Sequence, residues 1–205
     1  MKNNREIPGM LYILVSFIPW IVYWILCSMG SRLGVTLAFV TSLILIIPQI
    51  RKKDFNIMDV TSILYFSIAT IGTFIFNLDT FIKNSGFIGY SVLFLMALFS
   101  LIIKQPYTFQ VSKKDYPEIY WKDKSFLAIN NMITAVWAAI FMTNATVFLL
   151  LKEPLTIIIS NVLVVFGVIF SVAFPPKVLS YFALREFKKL DWDAKVNPQK
   201  PKRGK

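Results

Sequence analysis

The chain contains no histidine. That absence removes the commonest general base, the commonest proton shuttle and the commonest transition-metal ligand. The single cysteine, Cys27, excludes an intramolecular disulfide; it lies in an apolar run, so its expected role is packing. An enzyme built on a metal or a Ser-His-Asp triad is therefore not expected, and no cofactor is implied. Charge is missing in a more telling way. Six stretches, roughly residues 9–29, 33–50, 60–78, 84–103, 125–151 and 154–176, hold no Lys, Arg, Asp or Glu in their interiors.

What fills those stretches is hydrocarbon. Apolar residues make up 56% of the 205, with 19 Phe, more than a soluble domain of this size can bury. Each stretch has about 18 residues or more, enough at 1.5 Å per residue to cross ~30 Å of bilayer core. Inside lipid every backbone group must be satisfied within its own segment, so each stretch is read as a helix. A transmembrane barrel would need polarity alternating at period two, which these runs lack. The first stretch follows Lys2 and Arg5 like a signal peptide. It is too long for the usual apolar core of one, and bulky Trp20, Tyr23 and Trp24 stand where processing needs small residues, so it is read as a retained helix.

Orientation follows from the basic residues. The N-terminus, the second loop (Arg51, Lys52, Lys53), the fourth loop (Lys104, Lys113, Lys114, Lys122, Lys124) and the tail from Lys177 onward together hold nineteen of the 22. The other connections hold only Arg32, Lys83 and Lys152. Positive loops stay in the cytoplasm, so the expected fold is all-α: a six-transmembrane-helix bundle over residues 1–178 with both termini inside. The net charge of +11 would suggest nucleic acid in a soluble protein. Here it is assigned to orientation and to anionic lipid at the cytoplasmic face, with no nucleic-acid partner.

Prolines mark helix ends: Pro48 near the end of the second helix, Pro154 opening the sixth, Pro175–Pro176 closing it. Over 179–193, Leu179, Phe182, Phe187 and Leu190 can share one apolar face opposite Lys188 and Lys189. Two readings stay open: a short amphipathic helix on the membrane surface, or a continuation of helix six. Residues 194–205 read as a basic disordered tail.

Two segments resemble each other. IIPQIRKKDF (Ile46–Phe55) precedes the third helix and IIKQPYTFQVSKKDY (Ile102–Tyr116) the fifth, both running through Gln to Lys-Lys-Asp-aromatic. Either the hairpins are a parallel duplication, as in many transporters, or helix ends facing the cytoplasm converge on this composition. The pair Pro48–Gln49 resembles the motif of PQ-loop transporters, but that family carries two such pairs and usually seven helices, and the second pair here is reversed, Gln105–Pro106.

The groups able to carry chemistry are neutral. In the fifth stretch Asn130, Thr134, Trp137, Phe141 and Asn144 are spaced four, three, four and three, which puts them on one helical face. Asn and Thr in hydrocarbon must bond to another helix or face water, so this face should point into the bundle, as interhelical glue or as a solute path. Asn161 in helix six and Thr73 or Asn77 in helix three are candidate partners. The fourth loop adds Gln105, Tyr107 and Gln110, lining a cytoplasmic vestibule or belonging to a surface helix that anchors the bundle. Its acidic residues Asp115, Glu118 and Asp123 sit among lysines and read as a charge-balanced face.

The segment Pro106–Gln110, Trp121 and the run Phe126–Trp137 are similar to a group of uncharacterised prokaryotic integral membrane proteins, distantly similar in turn to the intracellular septation protein A group. That group often carries basic residues beside the Asn, where this chain has Ala128 and Asn131. The resemblance implies a multispanning inner-membrane protein linked to envelope maintenance or division, with Gln110, Asn130, Thr134 and Trp137 at its functional positions and no established reaction. The expected function is thus structural or envelope-associated, without turnover. The alternatives are a small-solute carrier or channel along helix five, or a lipid-acting enzyme using Asp115, Glu118 or Asp123. Candidate ligand-binding residues are Gln105, Tyr107, Gln110, Asn130, Thr134, Trp137, Asn144 and Asn161. Lipid is the expected partner; a homo-oligomer, an envelope protein and a small solute stay open.

Overall fold

The computed structural model describes residues 15–52, 55–114, 116, 118, 121–151 and 154–196, with backbone only for 52 and 176–196. These residues form helices and no strand. In order they are α1 (Ile18–Ser28), α2 (Leu33–Lys52), α3 (Ile57–Phe74), α4 (Thr80–Lys83), α5 (Ser85–Ile102), α6 (Tyr107–Ser112), α7 (Lys124–Leu150) and α8 (Leu155–Val196).

Five are long and apolar enough to cross a membrane: α2, α3, α5, α7 and the first half of α8, Leu155–Pro175. The described part of the first stretch is the 11-residue apolar α1; its earlier residues lie outside those described. The chain is therefore a helical, multi-pass membrane protein. Two short helices, α4 and α6, occupy what composition alone marks as loops.

α1, α2 and α3 pack in succession, α5 lies along α7, and α8 packs on α7. Around α1 the packing is aromatic. Trp20 stacks on Tyr65 at 5.2 Å and donates from Nε1 to Ser62 Oγ at 2.8 Å. The Tyr23 hydroxyl pairs with that of Tyr65 at 2.7 Å and bonds the Phe81 carbonyl. Close approach of α5 depends on two glycines. A Cβ on Gly86 would overlap the Phe148 ring of α7, and one on Gly89 would lie 2.7 Å from Trp24 Nε1 of α1.

The two ends of the bundle differ in chemistry. At one end Arg32, after α1, pairs with Asp79 at 2.8 Å and reaches Asn77 at 3.4 Å, joining two connections poor in basic residues. At the other, the Gln110 side chain of the fourth loop accepts from the Ile57 N–H at 3.0 Å, joining the two lysine-rich connections. The helix α8 runs unbroken through Pro175–Pro176 to Val196, so the proline pair does not close it. Proline removes a donor and strains a turn, yet a strongly helical flank such as LSYFALREFKKL can carry the helix past it. The side chains of Leu179, Phe182, Phe187 and Leu190 lie outside those described.

Candidate functional site

The polar face of α7 is buried along its length: Asn130, Thr134, Trp137, Phe141 and Asn144 are all enclosed. Asp123 caps the helix by accepting from the Ser125 N–H at 2.6 Å and the Phe126 N–H at 3.2 Å. These bonds hold its carboxyl below the ordinary range.

The short helix α6 closes the first half of that face. Pro106 ends the turn after α5, and Tyr107, Thr108 and Val111 are buried against the bundle. The Thr108 hydroxyl lies 2.7 Å from the Thr134 hydroxyl and donates to the Asn130 carbonyl at 2.9 Å. Ser112 donates to Asn130 Oδ1 at 2.8 Å, while Asn130 Nδ2 returns to the Phe126 carbonyl of its own helix at 2.9 Å. Both ends of the Asn130 amide are thus satisfied, and Thr134 is fully enclosed. Tyr107, Thr108 and Val111 seat the segment as a plug between α5, α7 and α3, while Phe109, Gln110 and Ser112 keep partial exposure. Tyr107 is fully buried and its hydroxyl has no hydrogen-bond partner among the described residues; burial drives its phenol well above the usual range.

Further along α7 the partners change. Trp137 donates from Nε1 to Ser171 Oγ of α8 at 2.9 Å. Asn144 is fully buried on the face it shares with Phe141 and Phe148, whose rings both reach Tyr90 of α5, and neither of its amide atoms has a hydrogen-bond partner among the described residues. The other candidates lie elsewhere. Asn161 is exposed and donates to the Ile157 carbonyl of its own helix at 2.9 Å, so it does not cross the bundle. Asn77 lies beyond the end of α3 at φ 51°, exposed and bonded to Arg32. Thr73 is buried in α3, its hydroxyl without a partner among the described residues. The Gln105 side chain is exposed; its carbonyl accepts from Gln110 Nε2 at 2.9 Å.

A second polar cluster, at the start of α3, was missed. Asp59 is 3% exposed in the first turn of α3, one residue outside the third charge-free stretch. Its Oδ2 accepts from Gln49 Nε2 at 2.7 Å. Gln49 also donates to the Leu45 carbonyl at 3.3 Å, in the turn of α2 that Pro48 loosens. Gln49 Oε1 accepts from the Asn56 N–H at 3.2 Å, Asn56 Oδ1 from the Met58 N–H at 3.1 Å, and Gln110 from Ile57. Three successive amides at the head of α3 are therefore each met by a side-chain oxygen. Gln49 and Gln110 each stand three residues before a Lys-Lys-Asp-aromatic run, so the repeated segments converge on one helix terminus. The signal was present in that shared spacing.

Compared with protein-family models, curated proteins and solved structures, the chain matches none. The hydroxyls and amide of the Asn130–Thr134 face bond to one another and to backbone, an arrangement that stabilises helix packing. Of the three loop acids weighed for lipid chemistry, Glu118 is exposed, Asp123 is committed to its cap, and Asp115 lies outside the described residues.

Proposed function

We propose that this chain is a structural, envelope-associated protein of the inner membrane without turnover. It has six spans and both termini in the cytoplasm, and is akin to the septation protein A group. One observation carries the reading: the Asn130–Thr134 face, the best candidate for a solute path, is closed by Thr108 and Ser112 of α6. A carrier needs such groups to meet water or solute in at least one state; a scaffold needs them to meet each other. The pairing of the basic-poor connections through Arg32–Asp79, and of the lysine-rich ones through Gln110, supports the six-span topology.

Native mass spectrometry of the full chain in mild detergent tests this. The expected spectrum carries bound lipid or a protein partner and no small polar solute. A stoichiometric metabolite, lost in Asn130→Leu with the fold intact, would establish a carrier instead. A reporter fused to the C-terminus should be active in the cytoplasm; periplasmic activity would contradict a topology with both termini inside.

A further inference from the structure

Halfway along α7 the packing opens into a pocket of about 130 Å³ lined by Phe17, Ile21, Trp24, Tyr90, Trp137, Phe141, Val164 and Val168. We infer that it is a binding site for the hydrocarbon chain of a bilayer lipid, entering sideways between α1 and α8. This assignment requires only that these helices lie in a membrane; it does not depend on whether the protein transports anything.

Three observations support it. First, the walls are dry. Every lining aromatic with a polar atom has turned that atom away to a protein partner: Trp24 to the Ser85 carbonyl, Trp137 to Ser171, and Tyr90 to Ser160, which donates to it at 3.0 Å. A cavity lined this way excludes water and favours an apolar guest. Second, the mouth faces the bilayer. Ile21 of α1 and Val168 of α8, 47% and 37% exposed, form the rim, while Trp137 and Phe141, 4% and 0% exposed, form the floor. α8 is also the least covered of the spanning helices, with 11% of its span buried, so its flank is open to lipid. Third, the depth fits a chain and not a headgroup. Trp137 is the central residue of α7, Lys124–Leu150, which places the floor at the level of the acyl-chain ends.

Photocrosslinking tests the site on the full chain. The protein is reconstituted in phosphatidylethanolamine vesicles containing a phosphatidylglycerol whose acyl chain carries a terminal diazirine. After irradiation, adducts are mapped by peptide mass spectrometry. The expected map includes Trp137 or Phe141, which a lipid can touch only through the pocket. Adducts confined to outward residues such as Val165 and Ile169 would overturn the assignment. Val164→Phe should fill the pocket and abolish the inner adducts while outward labelling persists. Persistence of the inner adducts in that folded variant would also overturn it. Should Val164→Phe not fold, Val168→Phe serves as the second filling variant, and the wild-type map decides by itself.

Discussion

Asn130 and Asn144 occupy the same face of the same helix, both are buried, and they differ in every polar contact. The amide of Asn130 is satisfied at both ends, by Ser112 and by Phe126. That of Asn144, four turns further on, has no partner at either end among the described residues. The difference lies in what the rest of the chain supplies. Opposite Asn130 lies a short helix rich in hydroxyls, which follows Pro106; on the face of Asn144 the flanking Phe141 and Phe148 pack on the Tyr90 ring. A buried polar residue is therefore an anchor or a burden according to its neighbours. Only the first of these two carries the structural reading.

Identical substitutions sharpen this contrast because Leu has nearly the shape of Asn. Asn130→Leu should lower the stability of the helical fold by about 1.5 kcal/mol, since it removes the bond from Ser112, leaving that hydroxyl only the 3.4 Å contact with the Phe109 carbonyl, and the added bond to the Phe126 carbonyl. Asn144→Leu should act with the opposite sign and raise stability by about 1 kcal/mol, since it removes two unpartnered atoms from an apolar surround. Thermal unfolding in a single detergent, followed by helical circular dichroism, reads both; equal signs would break the comparison. Thr134→Val should cost roughly 0.6 kcal/mol, the usual worth of one interhelical bond in a membrane, because Thr108 keeps the Asn130 carbonyl as acceptor.

The smallest effect should come from Asp123. Its folded pKa is lowered by the amides it caps, so its stabilisation is present above the ordinary carboxylate range and is lost as pH falls through that lowered value. Asp123→Asn keeps a competent cap and should flatten the acid limb of a stability–pH curve while leaving neutral pH nearly unchanged. An unchanged acid limb would show that other carboxylates govern it.

Most of the helices were legible because a membrane imposes a simple rule: charge ends a span. Five of the six charge-free stretches correspond to helices long enough to cross, and the buried face of α7 follows from its spacing of four and three. The same rule hid Asp59. Ending each stretch at the nearest charge placed this residue outside the third span, although α3 begins at Ile57 and buries it. The partners of α7 were harder to read. Asn161 bonds back to its own helix, which a lone Asn in an apolar run does not announce, and Asn77 follows a helix that stops at Phe74. The plug itself lay in a stretch whose tyrosines and lysines look like interface. Nothing local says that Tyr107 and Thr108 are enclosed, because their burial depends on α3, α5 and α7 meeting around α6.

The most direct test of the closed face is the reactivity of a thiol placed on it. Thr134→Cys, made with Cys27→Ala so that it is the sole thiol, is reconstituted in vesicles and exposed to a small cationic methanethiosulfonate. A face sealed by α6 leaves that thiol unmodified until the protein is denatured. Modification in the folded protein, slowed by a particular solute, would mean that water and solute reach the buried face of α7 at Thr134, and that the chain is a carrier.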